Sequence, residues 1–392
     1  MRVLISGAGI AGPTLAYWLA RFGYEITIVE KAPGLRTGGY VIDFWGAGFE
    51  IAGRMGLLDE IRAEGYEMES VRVVDRNNKR VAGFPAAAFA RATNGRYISL
   101  PRSELAAAIF RAIEGSVETI FGDSPAAIEQ NPTGVCVRFE SGAARDFDLV
   151  IGADGLHSRV RELVFGDESR FEKYLGYKAA AFQTEGYRPR DELAYVMYTE
   201  VGQQVARFAM RDDRTMFLFT YAEESPETGG IEWQKTRLRK RFAESGWECP
   251  QILDALEQVG ELYFDRVSQI RMPAWTRGRV ALVGDAAFCV SLLAGQGTAL
   301  AMTAAYILAG ELHRAAGDYE RAFDQYHRLF APFIANKQKA ALRFAGSFAP
   351  KSGFSMFLRN RIMNLMKIGW VADLAVGWDL ADRIALPDYA AR

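Results

Sequence analysis

Three glycines near the start of the chain, Gly7, Gly9 and Gly12, have the spacing of a loop that binds a dinucleotide. The first allows a tight turn, the second lets a pyrophosphate approach bare backbone, and the third lets a helix lie close to a strand. Glu30 ends the next hydrophobic run, where a carboxylate can accept hydrogen bonds from an adenosine ribose. The segment therefore predicts a dinucleotide site, and the alternative is a strand–turn–helix with structural glycines.

Two later acids, Asp154 and Asp285, each follow a short hydrophobic run that contains a glycine. The carboxyl ends of strands in an open α/β sheet share one edge, where such folds bind ligands. The two carboxylates can accept hydrogen bonds there from ribose or ribityl hydroxyls. Gly295 and Gly297 then open a helix whose N-terminus can face a flavin ring, which becomes anionic on reduction. Together, the three segments predict a flavin site.

A strand–helix–strand opening is needed to position the glycine loop. The hydrophobic pattern predicts strands over 3–5 and 26–29 and a helix over 11–21. From about residue 177 to 221 the pattern changes to strands with many aromatic residues, which predicts an antiparallel sheet with an apolar face. That sheet is the natural candidate for a separate substrate domain.

Side chains of this sheet are the candidate substrate contacts. We expect Phe182 and Phe217 to line a pocket for a large, flat, apolar ligand. Arg207 is expected either to face the flavin or an anionic substrate, or to point outward from its strand. The amphipathic run from about 353 to 376 predicts a tail helix, which packs on the protein body or contacts a membrane surface or a partner.

The composition indicates a globular protein with no polyanion partner. The chain has 392 residues, which favours two domains, and a net charge of −1 with no concentrated basic patch. Its three cysteines are too far apart for a disulfide framework or a metal site, which indicates a reducing cytoplasm. No run is long and apolar enough to span a bilayer, and His157 is interpreted as structural.

These motifs give the chain a resemblance to a known family. With Arg36 in EKAPGLRTGG and Arg102 in LPRSEL, it resembles the class A flavoprotein monooxygenases of the para-hydroxybenzoate hydroxylase type. The stretches GDAAFCVSLLAGQG and AYILAGEL look most like the tetracycline-inactivating monooxygenases of that family. The resemblance implies an α/β fold with a Rossmann-like FAD-binding domain, an inserted antiparallel-sheet substrate domain and an added C-terminal helix. The expected boundaries are, for the FAD-binding domain, 1–70, 96–175 and 266–345; for the substrate domain, 71–95 and 176–265; and for the bridging tail, 346–392.

The resemblance also implies the site residues. The expected cofactor contacts are Gly7, Gly9, Ala11, Gly12, Glu30, Lys31, Arg36, Arg102, Asp154, Gly284, Asp285, Gly295 and Gly297. The expected substrate contacts are Phe182, Arg207, Phe217, Phe288 and Leu292. No catalytic residue is assigned, and Arg207 is the one candidate. Relatives often carry His, Pro and Asn where this chain has Phe288, Leu292 and Ala299, so Leu292 is expected to line the flavin face and to affect oxygen activation.

The implied activity is hydroxylation of an aromatic or polycyclic substrate, such as a polyketide or a tetracycline, through a hydroperoxyflavin. FAD would be reduced by transiently bound NADPH or NADH and would then react with O2. We expect a cytoplasmic monomer or weak dimer whose partner is the small-molecule substrate, with no nucleic acid and no membrane. Two alternatives stay open: a flavin-dependent reductase or dehydrogenase that does not use oxygen productively, and a catalytically weak protein that binds flavin and ligand.

Overall fold

A computed structural model of the chain describes residues 1–36, 38–93, 95–366 and 384–389. At its centre is a six-stranded sheet whose middle strand, Arg2–Ser6 (β1), leads into the glycine loop. Val3 to Ile5 are fully buried, as expected for a parallel strand covered on both faces. The strand order is β17-β18-β11-β1-β2-β7, and the other strands are Glu25–Glu30 (β2), Glu118–Phe121 (β7), Leu149–Gly152 (β11), Thr276–Arg277 (β17) and Val280–Leu282 (β18).

The predicted aromatic-rich sheet is present and has seven strands in the order β16-β12-β15-β14-β13-β4-β5. Most neighbours pair antiparallel, but Ala194–Glu200 (β13) pairs in parallel with Ser70–Val74 (β4), which belongs to an early hairpin of the chain. The strands are Ser70–Val74 (β4), Arg80–Pro85 (β5), Glu172–Glu185 (β12), Ala194–Glu200 (β13), Gln203–Ala209 (β14), Arg214–Ala222 (β15) and Tyr263–Ile270 (β16).

Two smaller sheets complete the β structure. A two-stranded sheet of Val41–Trp45 (β3) and Tyr97–Pro101 (β6) lies where the two larger sheets meet. A three-stranded antiparallel sheet consists of Pro125–Gln130 (β8), Val135–Phe139 (β9) and Ala144–Phe147 (β10).

The predicted helix over 11–21 is confirmed as α1, which packs on a long buried helix through Trp18 and Tyr306, with ring centres 4.9 Å apart. No helix within the described ranges is long and apolar enough to cross a membrane. The helices are Ala11–Arg21 (α1), Ala47–Arg54 (α2), Leu58–Glu64 (α3), Ala87–Ala92 (α4), Arg102–Arg111 (α5), Arg159–Phe165 (α6), Ile231–Phe242 (α7), Cys249–Glu257 (α8), Asp285–Phe288 (α9), Gly297–Arg314 (α10), Tyr319–Phe348 (α11) and Gly353–Leu365 (α12).

The predicted tail helix begins as expected, but its described part ends at Leu365. The rest of the predicted run, 367–376 with Trp370 and Leu374, lies outside the described residues. The final described segment, 384–389, packs on α10, where the Tyr389 hydroxyl donates a hydrogen bond to Glu311 at 2.6 Å. The segment 384–389 is therefore attached to α10.

Candidate functional site

The glycine loop between β1 and α1 leaves no room for side chains at two of its three glycines. A Cβ on Gly7 would lie 2.5 Å from the carbonyl oxygen of Ala153, and one on Gly12 would lie 1.9 Å from that of Gly7. Gly9 faces open space, where the nearest atom to its Cβ position is Nη2 of Arg102 at 3.7 Å. No side chain caps the start of α1, so its first N–H groups are available to an anion.

Glu30 lies at the end of β2 with its carboxylate beside this loop. Oε2 accepts a hydrogen bond from the Ala8 N–H at 2.9 Å, and Oε1 accepts one from the Ala32 N–H at 3.0 Å. Each carboxylate oxygen can accept a second hydrogen bond, so Glu30 can still accept hydrogen bonds from a ligand. In this position Glu30 can accept hydrogen bonds from ribose hydroxyls, and its bond from Ala8 also holds the glycine loop in place.

The two later acids follow neighbouring strands but are held differently. β11 and β18 pair in parallel, so Asp154 and Asp285 follow them at the same edge of the sheet. Asp154 accepts hydrogen bonds from the Ser158 hydroxyl at 2.5 Å and from the Val160 N–H at 3.0 Å, so its carboxylate supports the start of α6. Asp285 begins α9, where burial raises its pKa and the positive charge of Arg102 lowers it.

Close contacts bring the ends of the motifs together in one groove. A Cβ on Gly284 would lie 3.2 Å from the Cβ of Ala11, so the third motif touches the first helix. A Cβ on Gly297, at the start of α10, would lie 3.8 Å from Oδ1 of Asp285. Gly295 has φ +64°, and its Cβ position lies 3.6 Å from the Trp45 ring. The groove thus runs from the glycine loop to β3; we call it the cofactor groove.

The three basic residues expected to contact the cofactor differ in position. Arg102 begins α5, its N–H donates to the Tyr40 carbonyl oxygen at 3.1 Å, and its guanidinium lies by the glycine loop. Lys31 and Arg36 are exposed, and neither side chain makes a hydrogen bond or ion pair within the described part of the chain. The structure therefore brings Arg102 to the groove, while contacts from Lys31 and Arg36 stay predictions.

A buried arginine that the sequence analysis missed connects the two acidic motifs. The Arg161 guanidinium is fully buried and donates to the carbonyl oxygens of Leu156 at 2.6 Å and Ala286 at 2.9 Å. It also pairs with Glu168 at 2.5 Å. No pattern in the sequence distinguishes it from Arg159, which lies two positions earlier on the same helix and has a half-exposed side chain.

A polar cluster that the sequence analysis also missed lies where the two large sheets meet. Asp43 of β3 accepts hydrogen bonds from the hydroxyls of Ser99 at 2.7 Å and Tyr97 at 2.8 Å, both on β6, and from the Tyr195 hydroxyl on β13 at 3.4 Å. Burial raises the pKa of Asp43, and the three hydroxyl donors lower it. The only signal in the sequence is that two otherwise apolar strands carry polar groups, Asp43 on β3 and Tyr97 and Ser99 on β6.

The seven-stranded sheet has one face that packs on α7 and α8, and Phe182 and Phe217 belong to that face. Arg207 pairs opposite Phe217 and is buried beside two carboxylates, those of Asp191 at 2.6 Å and Glu248 at 3.1 Å. Successive residues of a strand point to opposite faces, so these three side chains point away from the cofactor groove. The structure thus places Phe182, Arg207 and Phe217 on the face that α7 and α8 cover, and their expected contact with substrate stays a prediction.

The opposite face of this sheet meets the cofactor groove; we call it the groove face. Met216 lies on it, and its sulfur accepts a hydrogen bond from the Val41 N–H of β3 at 3.1 Å. Strand pairing places four half-buried side chains on the same face: Val71, Tyr195, Met197 and Leu218. Partly exposed apolar side chains beside a few convergent polar groups are typical of a small-molecule site.

The two residues expected near the flavin ring separate in the structure. Phe288 packs 4.8 Å from Trp275 and 5.4 Å from Phe330, in the core next to α11. Its side chain is buried there, and its expected contact with substrate stays a prediction. Leu292 begins a short turn that leads to Gly295 and is half-buried, so its place on the flavin face stays a prediction.

The cofactor groove has the chemical groups that FAD requires. Uncapped helix starts at α1 and α10 offer N–H donors and partial positive charge to phosphate and to a reduced ring. Glu30 and the half-buried Asp285 offer acceptors for hydroxyl groups, and Arg102 offers a cation beside the glycine loop. The bare backbone at Gly9 leaves room for the pyrophosphate.

Known proteins match this chain over most of its length. A family model described as an FAD binding domain matches residues 1–338. An uncharacterized protein of Mycobacterium tuberculosis (strain ATCC 25618 / H37Rv) is 42% identical over 340 residues, which are 86% of this chain and 91% of that protein. A flavin-dependent monooxygenase of Legionella longbeachae is 33% identical over 393 residues, 99% of this chain and 98% of that protein. The crystal structure of the tetracycline destructase Tet(51) superposes with a TM-score of 0.83 at 32% identity and covers 99% of both chains. The chain therefore belongs to the FAD binding domain family and is an FAD-dependent monooxygenase.

Proposed function

We propose that this monooxygenase consumes NADPH or NADH together with O2 to hydroxylate an aromatic or polycyclic substrate of the polyketide or tetracycline type. The observation that carries the proposal is the groove face, whose half-buried side chains are neutral and mostly apolar. Flat ring systems bury well against such a surface, and the Tyr195 ring can stack on them. Similarity to a tetracycline destructase over the full length supports the same class of substrate.

We propose that the chain holds FAD through the expected cofactor contacts. The pyrophosphate binds to Arg102 and to the start of α1, because both present positive charge. Glu30 accepts hydrogen bonds from the ribose, and Asp285 accepts them from the ribityl chain. The uncapped start of α10 stabilises negative charge on the ring. When bound, the flavin supplies the redox chemistry with the nicotinamide and O2.

The remaining task of the protein is to place the substrate and to exclude water. The groove face positions the flat substrate, while Trp45 and Leu292 close the groove near Gly295. We propose the FAD-binding domain, substrate domain and tail with the boundaries given from the sequence. The free cysteines support the proposed cytoplasmic location.

The test is NADPH or NADH oxidation by the purified, FAD-loaded protein with tetracycline and a panel of phenolic polyketides. We expect at least one compound to stimulate both nicotinamide oxidation and O2 uptake. With isotopically labelled O2, the product should gain one labelled oxygen atom by mass spectrometry. An Arg102→Ala variant should lose FAD and the stimulated activity together, whereas Arg159→Ala, at a half-exposed position, should keep both.

Two results would contradict the proposal. Substrate-stimulated nicotinamide oxidation with a reduced product and no oxygen incorporation would identify a reductase. FAD-loaded protein that binds polycyclic ligands without any stimulated oxidation would identify a flavin- and ligand-binding protein.

A further inference from the structure

A second pocket lies where α11 packs beside the chain that follows β16. It has a volume of about 370 Å³ and is lined by that chain, by the last residue of α9 and by one side of α11. The residues that form the cofactor groove and the groove face are not among its lining residues. We call it the α11 pocket, and the lining residues that matter for its chemistry are Arg271, Trp275, Phe288, His327, Ile334 and Lys339.

The floor of the α11 pocket is aromatic and is held in place by hydrogen bonds. Trp275 and Phe288 are buried, with their ring centres 4.8 Å apart, and the half-buried His327 ring meets Trp275 edge to face at 5.1 Å. Nε2 of Gln338 donates to the carbonyl oxygens of Ile270 at 2.7 Å and Phe288 at 3.4 Å, which fastens α11 to the two other walls. A flat ring can therefore pack on an apolar surface that is already formed.

The rim of the α11 pocket carries two exposed cations, Arg271 and Lys339. Nε and Nη2 of Arg271 donate to Oε1 of Gln269 at 3.0 and 2.6 Å, which fixes the guanidinium and leaves its Nη1 without a partner among the described residues. The Lys339 ammonium makes no hydrogen bond or ion pair with the part of the chain that the structure describes. Both groups can therefore bind an anion that enters the pocket.

No acid neutralises these cations from within the pocket, because none of its described lining residues is Asp or Glu. Glu172 pairs opposite Ile270 in the sheet, but its carboxylate already accepts a hydrogen bond from the Ser268 hydroxyl at 2.6 Å and forms an ion pair with Arg266 at 2.6 Å. An apolar floor under an unneutralised positive rim is complementary to an organic anion, with its ring below and its charge above.

We propose that the α11 pocket is a second ligand site, separate from the cofactor groove, that binds a small aromatic anion such as an aryl carboxylate. The ring packs on Trp275, and the carboxylate binds at the rim between Arg271 and Lys339. Pockets for small molecules range from about 300 to 1,000 Å³, so this one suits one or two fused rings rather than a large polycycle. The inference uses no residue of the proposed monooxygenase site and does not depend on that function.

The location is tested by calorimetric titration of the full-length, FAD-loaded protein with naphthalene-2-carboxylate and with its neutral analogue naphthalene-2-carboxamide. The native protein should bind the carboxylate more tightly. Ala335 is an exposed lining residue of α11, so Ala335→Phe should fill the pocket and reduce the number of bound molecules of each ligand by one. The matched control is Asn336→Phe, which adds the same ring at the next exposed position, outside the lining, and should keep the native stoichiometry.

The charge of the rim is tested separately, in the same titration. Lys339→Met should weaken carboxylate binding by about two- to fivefold, the range for an exposed ion pair, and should leave carboxamide binding unchanged. Lys339→Glu should weaken carboxylate binding by about the square of that factor, because it replaces an attraction by a repulsion of similar size. The control Arg321→Glu reverses an exposed charge near the start of α11, beyond the screening distance in physiological salt, and should change neither ligand.

An Ala335→Phe variant that binds as many ligand molecules as the native protein would overturn the proposal, and so would a native protein with no preference for the carboxylate. If Ala335→Phe does not fold, the exposed Lys339 decides, since a Lys339→Glu variant with the native preference would also overturn it. Binding is measured without nicotinamide or turnover. A failure here therefore leaves the proposed function intact, and a failure of oxygen insertion leaves this site intact.

Discussion

Replacement of Arg161 by methionine tests whether one buried side chain holds the two acidic motifs together. Methionine fills much of the same volume but leaves the carbonyl oxygens of Leu156 and Ala286 without their donors. Each buried acceptor left unsatisfied costs roughly 1–3 kcal/mol, so the two together predict a loss of about 2–6 kcal/mol in the free energy of unfolding. Glu168 adds little to the loss, because it keeps the hydrogen bond from Arg266 at 2.7 Å.

The assay is urea unfolding followed by circular dichroism and by flavin fluorescence, with the FAD dissociation constant measured in parallel. Because Ala286 directly follows Asp285, we expect FAD affinity to fall with stability. The matched control is Arg159→Met, whose surface pair with Glu162 is worth less than about 1 kcal/mol. If Arg161→Met loses no more stability than this control and binds FAD normally, the guanidinium does not hold the motifs in place.

Two further changes have defined outcomes. Gly12→Ala places a Cβ 1.9 Å from the Gly7 carbonyl oxygen, so the purified variant should lack flavin absorbance. The control Gly34→Ala has open space at its Cβ position and should retain that absorbance. Equal flavin content in the two variants would contradict the steric argument. Hydrogen bonds from His157 to Asp265 and to a second carboxylate raise the His157 pKa from 6.5 to about 9. The resulting stabilisation is complete below about pH 6.5 and is lost as pH rises through about 9. The urea midpoint of the native protein should therefore fall over this interval more than that of His157→Gln, and parallel profiles would refute the assignment.

The cofactor half of the site could be predicted because its requirements are local. Gly7 and Gly12 lie where neighbouring backbone excludes a Cβ, and such positions show in the sequence as glycines at fixed spacing. Asp285 follows a short buried strand, so its place at the sheet edge also follows from the local pattern. Arg161 could not be predicted, since the carbonyl oxygen of Ala286 that it binds lies 125 positions away.

The substrate half could not be predicted because both faces of the seven-stranded sheet are apolar. Alternation correctly separates Phe217 from Met216, but it does not say which of the two faces meets the cofactor groove. The helices α7 and α8 cover the face that carries Phe182 and Phe217, so both are core residues. Asp43 and Tyr195 were missed for a related reason: their contact joins two sheets that the sequence pattern does not orient.

The strand order of the two large sheets has a consequence for synthesis of the protein on the ribosome. All seven strands of the larger sheet lie before residue 271, whereas the central sheet receives β18 and Asp285 only afterwards. The larger sheet can therefore close while the central one still lacks two strands, β17 and β18, which reverses the usual order of N-terminal parts first. A chain that stops before Val280 would keep its glycine loop but lack Asp285, so a complete flavin site can form only after synthesis has passed that acid.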